Sequence, residues 1–209
     1  MHTSTDNLQS LLDSGVAWRA LPGQDVCGDL YLIRPIDDGV LLAVVDGLGH
    51  GDEATLVAKT AVDILQRHAS EPLEALFRRC HEALIRTRGV VMTVATIRAS
   101  DGQLSWLGVG NVEAVLLRAN REPPARGERV LLRGGLVGYL LPELHGSTTS
   151  MQADDLLIFA TDGISAGFTE GVIRSNSPQQ IADHILRRYF RGNDDALVLV
   201  VRYIRPGHE

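Results

Sequence analysis

Six consecutive apolar residues, Val40-Leu41-Leu42-Ala43-Val44-Val45, run directly into Asp46-Gly47-Leu48-Gly49-His50-Gly51. The stretch has the length of a strand and is far short of the ~18 residues that a membrane helix needs. Being apolar at every position, it must be covered on both faces, so its sheet is an inner layer. Tyr31-Leu32-Ile33 lies upstream, beyond Asp37-Asp38-Gly39. An Asp-Gly step between two apolar runs predicts an antiparallel hairpin.

After His50 the period changes. Ala54, Val57, Ala58, Ala61, Ile64 and Leu65 recur at helical spacing, and so do Leu73, Leu76, Phe77, Cys80, Leu84 and Ile85. Pro72 suits the first turn of the second helix, and Ala69-Ser70-Glu71 between the two predicts an antiparallel pair. Strands are predicted over 90–97, 104–108, 112–117, 130–132, 138–141, 156–160 and 196–203, with a loop over 118–128 and a helix over 178–188. Leu8, Leu11 and Leu12 predict a short helix within an N-terminal extension, residues 1–20. No linker, repeat or low-complexity tract interrupts the chain, so one domain over 1–209 is expected. Hairpin connections outnumber β-α-β crossovers, which predicts the α+β class: two antiparallel sheets with helices outside.

Composition narrows the function. A net charge of −6 over 209 residues does not favour nucleic acid, and no apolar run suits a membrane. Residues 1–15 carry no basic-then-apolar leader, so a cytoplasmic location is expected. Cys27 and Cys80 have neither zinc-knuckle spacing nor a disulfide framework, and both read as small buried thiols.

The acidic residues sit at the ends of predicted strands. Asp29 precedes one, Asp46 and Asp162 end two others, and Asp194 starts a fourth. Glycine flanks three of them: Gly28, Gly47 and Gly163. Carboxylates on strand ends can converge on one edge of a sandwich, and glycine lets a backbone carbonyl approach as a further ligand. Oxygen donors without a histidine or cysteine pair select Mg²⁺ or Mn²⁺ over zinc. Two such ions ~3.5–4 Å apart activate a water for in-line attack on phosphorus, and no side-chain nucleophile is needed. The chain carries no catalytic-cysteine signature. His50 reads either as an acid or water-orienting group or as a structural histidine. Gly108-Val109-Gly110-Asn111 reads as a turn, and Gly134-Gly135 as a bend or a loop near the site. Asp195 follows Asp194, and its contribution stays open.

Gly28-Asp29, Asp46-Gly47-Leu48-Gly49-His50-Gly51, Thr161-Asp162-Gly163 and Asp194-Asp195, in this order, resemble the motifs of the metal-dependent PP2C-type protein phosphatases, in their bacterial SpoIIE-like branch. The resemblance runs from about residue 20 to the end and extends to the small single-domain phosphatases of the Gram-positive stressosome. It implies an α-β-β-α sandwich with two Mn²⁺ or Mg²⁺ ions at one end. By position, Asp46 would bridge both ions, Asp29 and the Gly47 carbonyl would hold one, and Asp162 and Asp194 the other. Implied substrates are phosphoserine and phosphothreonine on STAS-domain stressosome proteins, the scaffold and its co-antagonist, in negative feedback on a stress response. Eukaryotic members usually carry an acidic pair at the first motif; here Asp29 stands alone after Gly28, so one ion is expected to bind weakly. Two other readings remain open: a phosphatase of another anti-sigma-factor antagonist, and a non-catalytic module that docks phosphoproteins.

Overall fold

The computed structural model describes residues 11–120 and 127–204. Among them the chain runs β1 (Leu12–Arg19), β2 (Asp29–Ile36), β3 (Gly39–Gly47), α1 (Gly51–Arg67), α2 (Leu73–Leu84), β4 (Val90–Arg98), β5 (Gln103–Val109), β6 (Glu113–Leu117), β7 (Glu128–Arg129), β8 (Leu132–Arg133), β9 (Ser147–Ser150), β10 (Leu156–Ala160), α3 (Pro178–Tyr189) and β11 (Ala196–Tyr203). One sheet has the order β1-β11-β10-β6-β7. The other has β2-β3-β4-β5-β8, with β9 also pairing β5. The α+β class and the two sheets are as the sequence predicts.

The period-2 geometry of β3 explains its unbroken apolar run. Val40, Leu42 and Val44 face the other sheet, where they meet Phe159 and Leu199, and they pack alongside Ala95 and Ile97 of the neighbouring β4. Leu41, Ala43 and Val45 face outward and are covered by Ala58, Ala61, Leu76 and Phe77 of α1 and α2. On the far side, Ile181, Ala182 and Ile185 of α3 cover Ile158, Val198 and Val200. Three apolar layers therefore separate four layers of structure, helix-sheet-sheet-helix. A Ser177 capping box with Gln180 and Pro178 in the first turn sets the start of α3.

Two sequence expectations need correction. Leu8 lies outside the described residues and Leu11 is helical, but Leu12–Arg19 is a strand, paired along its whole length with β11, and not part of an extension. Its polar residues, Asp13 and Ser14, disguise it, as suits an edge strand buried at alternate positions. Gln179 of α3 closes its outer edge: Oε1 accepts from the Val16 amide at 3.1 Å and Nε2 donates to the Val16 carbonyl at 2.8 Å. The segment 138–141 is a turn, not a strand. Leu136 and Leu140 bridge across it, and Val137 pairs with Val90. Gly138 has φ 102, which a strand does not accommodate. The polar strand Ser147–Ser150 gives no apolar signal and escapes sequence reading.

A Cβ on Gly15 would lie 2.2 Å from the backbone nitrogen of Gln179, so β1 and α3 meet at a contact only glycine allows. Gly15→Ala is expected to destabilise the protein by about 1–3 kcal/mol. Urea denaturation measures this, and an unchanged midpoint contradicts the packing described.

Candidate metal centre

The antiparallel registers bring the acidic strand ends to one edge. β2 begins where β3 ends, and Asp29 is paired directly with Asp46. In the other sheet β10 ends at Ala160 beside the start of β11, and the Thr161 amide bonds the Leu197 carbonyl. Asp162 follows Thr161 and Asp194 precedes β11, so each sheet presents acidic groups at the same edge.

A buried hydroxyl pins the two sheets together there. Thr161 Oγ1 donates to Asp29 Oδ2 at 2.7 Å and accepts from the Leu197 amide at 2.8 Å. Asp29 is only 4% exposed. Burial pushes its pKa up to about 8, helped by the charges of Asp195, Asp162 and Asp194 and opposed by the Thr161 hydrogen bond. Asp46 is held well above the usual carboxylate range by burial and then by Asp29, Asp162, Asp194 and Asp195. Asp162 is raised by burial and by Asp194, while Arg191 and the Asn111 side chain oppose the rise. Asn111 Nδ2 donates to Asp162 Oδ2 at 2.7 Å, a positioning role that its reading as a simple turn missed. The Gly110-Asn111 step carried the signal: Gly110 has φ 99 and its hydrogen faces Val91 at a distance no Cβ could occupy.

Asp195 has a different job from its neighbours. It is 3% exposed, and its carboxylate accepts the Leu21 and Gly28 amides, each at 2.7 Å. It therefore fastens the 20–28 segment against the sandwich just before Asp29. Asp194 Oδ1 accepts the Asp195 amide at 2.8 Å. The glycines beside the acids are enforced by crowding. A Cβ on Gly47 would lie 2.1 Å from the Ala54 carbonyl oxygen, and one on Gly163 would lie 2.0 Å from the Asp195 carbonyl oxygen.

His50 lies at the N-cap of α1, exposed, with no side-chain capping bond. Cys27 is buried, and burial, with Asp29 next, pushes its thiol up to about 12. A thiol so far from ionising is a poor nucleophile or metal ligand, in keeping with a packing role.

Among the described residues, no three side chains of His, Cys, Asp or Glu stand at the mutual spacing of ligands around one point. The donor set still fits a hard divalent cation. It is all oxygen, it gathers carboxylates that raise one another's pKa, and it sits beside glycine carbonyls at a crowded strand end.

The model of the family "Stage II sporulation protein E (SpoIIE)" matches residues 36–204. The chain belongs to the SpoIIE family. Among curated relatives, the phosphoserine phosphatase RsbX of Bacillus subtilis (strain 168) is 24% identical over 179 residues, 86% of this chain and 88% of RsbX. Stage II sporulation protein E of Priestia megaterium is also 24% identical, over 92% of this chain but only 36% of that protein. A chain solved in work on the bacterial stressosome, as a modular system that controls secondary messenger signalling, superposes with a TM-score of 0.82. It is 30% identical, covering 91% of this chain and 99% of the other. RsbX in complex with magnesium superposes at 0.81 and 22% identity, over 92% and 96% of the two chains. The helix-sheet-sheet-helix layering is thus the PP2C fold that the SpoIIE family shares. No helix among the described residues is long and apolar enough to cross a membrane.

The raised acids give a pH prediction for SpoIIE-family protein held in chelator. A carboxyl whose folded pKa is raised keeps a proton that the unfolded chain releases near pH 4. Stability therefore falls as pH rises from about 4 toward the folded pKa, about 8 for Asp29. Asp46→Asn, which removes one of the repelling charges, is expected to flatten this fall and to melt above wild type at pH 8 in EDTA. Thermal melts across pH measure it, and parallel curves for the two proteins contradict the electrostatic picture.

Proposed function

We propose that this SpoIIE-family protein is a Mn²⁺- or Mg²⁺-dependent serine/threonine phosphoprotein phosphatase. Its proposed substrates are phosphorylated STAS-domain proteins of a stressosome, the scaffold and its co-antagonist, and its proposed role is cytoplasmic negative feedback on a stress signal. The observation that carries the reading is the gathering of Asp29 and Asp46 from one sheet with Asp162 and Asp194 from the other. The likeness to RsbX over 86% of the chain supports phosphoserine as the group cleaved. The stressosome-related structure at 30% identity supports the partner class.

In this reading Asp46, Asp29 and the Gly47 carbonyl would hold one ion, and Asp46, Asp162 and Asp194 would hold the second. When bound, such ions supply the positive charge that acidifies the attacking water and offsets the charge of the phosphoryl group. The phosphorus–serine oxygen bond breaks, the serine oxygen gains a proton, and inorganic phosphate leaves. Asn111 keeps Asp162 turned toward the cluster, Thr161 does the same for Asp29, and Asp195 holds the 20–28 segment beside them. His50 is proposed as the group that carries a proton at the solvent side.

Turnover of p-nitrophenyl phosphate and of a phosphoserine peptide tests the reading. Activity is expected with Mn²⁺ or Mg²⁺, reversibly lost in EDTA, and absent from a chain that only docks phosphoproteins. Asp46→Asn is expected to lower kcat at least ~100-fold while circular dichroism stays unchanged. Wild-type activity in that variant refutes the ligand assignment. His50→Gln is expected to lower kcat without changing the metal requirement, and an unchanged kcat removes His50 from the mechanism. Cys27→Ala is expected to stay active.

A further inference from the structure

Several of the large apolar side chains left in solvent lie together beside the acidic edge. Leu48, one residue past Gly47, is 49% exposed, and Ile85, Tyr139 and Leu140 are 53%, 81% and 62% exposed. The backbone ties these residues into one surface. The Leu48 amide bonds the Gly89 carbonyl at 3.1 Å. Gly89 lies so close to Leu136 and to the Val137 carbonyl that a Cβ there would be 3.0 Å from Leu136 Cγ and 2.6 Å from that oxygen. Leu136 in turn exchanges two backbone bonds with Leu140 and accepts one from Tyr139. Gly138 packs on the backbone of Leu84, next to Ile85, and its amide is held by His81 Nδ1 at 3.0 Å. The turn that displays Tyr139 and Leu140 is thus fixed to the end of α2 and the start of β4, and an apolar face displayed so rigidly is built for contact.

The charge of this face is the second observation. The chain as a whole is acidic, with a net charge of −6, and the neighbouring edge gathers aspartates. Here, however, Arg86 and Arg88 stand exposed in the loop between Ile85 and Gly89. Arg88 lies beside Gly49, whose Cβ would be 2.7 Å from its Nη1, and pairs with Glu53 in the first turn of α1. An arginine held beside the loop that leaves Asp46 complements a phosphorylated, acidic partner.

Resting on the phosphatase reading above, we propose that Leu48, Ile85, Tyr139 and Leu140 with Arg86 and Arg88 form the docking face for a folded phosphoprotein substrate. The partner brings an apolar patch onto Tyr139 and Leu140 and an acidic or phosphorylated segment past Arg88 toward the aspartates. A small phosphate ester has no surface to place on Tyr139 and Leu140, so the face discriminates protein from small-molecule substrates.

The experiment compares two substrates, p-nitrophenyl phosphate and a serine-phosphorylated STAS-domain protein, on wild type and on the double variant Tyr139→Ser/Leu140→Ser. The expected result is a fall of at least about tenfold in kcat/KM for the phosphoprotein with p-nitrophenyl phosphate turnover unchanged. Arg88→Ala is expected to raise KM for the phosphoprotein and weaken its salt dependence. Equal kinetics of the double variant and wild type on the phosphoprotein overturn the proposal, and so does an equal fall on both substrates, which marks damage to the turn. If light scattering shows wild type as a dimer and the double variant as an equally active monomer, the face joins two copies and the proposal fails. A wild type inactive on both substrates with every divalent ion instead sinks the phosphatase reading itself.

Discussion

Asp29 is a carboxylate shut away from water, and the way it is solvated organises the edge of the sandwich. Among the described residues one hydroxyl, from Thr161, donates to it, and that hydroxyl belongs to the opposite sheet. A buried charge so thinly solvated is costly unless it is neutralised by a proton or a cation. The other carboxylates of the edge add repulsion rather than relief. The fold keeps this arrangement because the hydrophobic layers around it are closed: Val40, Leu42, Val44, Phe159 and Leu199 are fully buried between the sheets. Three apolar layers carry the stability, and the acidic edge draws on it.

The acids divide into those that the backbone uses and those that it leaves open. Asp195 is committed to the Leu21 and Gly28 amides, and Asp194 gives one oxygen to the Asp195 amide. Asp162 receives a bond from the Asn111 side chain. Asp46 sits across from Asp29, and burial and then Asp29, Asp162, Asp194 and Asp195 oppose its charge. The less a carboxylate is satisfied by the protein, the more it gains from a cation, which supports the bridging place proposed for Asp46. The crowded glycines fix the backbone around it, because neither the Ala54 nor the Asp195 carbonyl leaves room for a side chain at Gly47 or Gly163.

Much of this was legible in the sequence. The apolar run of β3, the Asp-Gly hairpin before it, the two helices after it and the last strand follow from period and turn chemistry, because burial on one or two faces writes itself into residue type. The placement of Asp29, Asp46, Asp162 and Asp194 at strand ends was legible too, because each sits where an apolar run starts or stops. What escaped depended on partners far along the chain. β1 reads as polar because its outer edge is closed by Gln179, some 160 residues away. The turn at Gly138 looks like a strand until His81 and Leu84 are seen to hold it. The task of Asp195 is set by amides of Leu21 and Gly28 that no local pattern announces. Thr161 was visible only as part of Thr161-Asp162-Gly163, since a hydroxyl's partner across a sandwich leaves no periodic trace.

Because the candidate ligands come from both sheets, the proposed ion binding would be linked to the integrity of the sandwich. Asp29 and Asp46 ride on β2 and β3, while Asp162 and Asp194 flank β10 and β11. A cation between them would replace mutual repulsion with attraction across the seam, which Thr161 and Asp195 already bridge by hydrogen bonds. The same reasoning bears on the surface around Leu48. That loop connects Asp46 directly to α1; its Leu48 amide is bonded to Gly89, Val90 is in register with Gly47, and Val90 exchanges two hydrogen bonds with Val137. The proposed docking face and the strand end that carries Asp46 therefore share one piece of backbone.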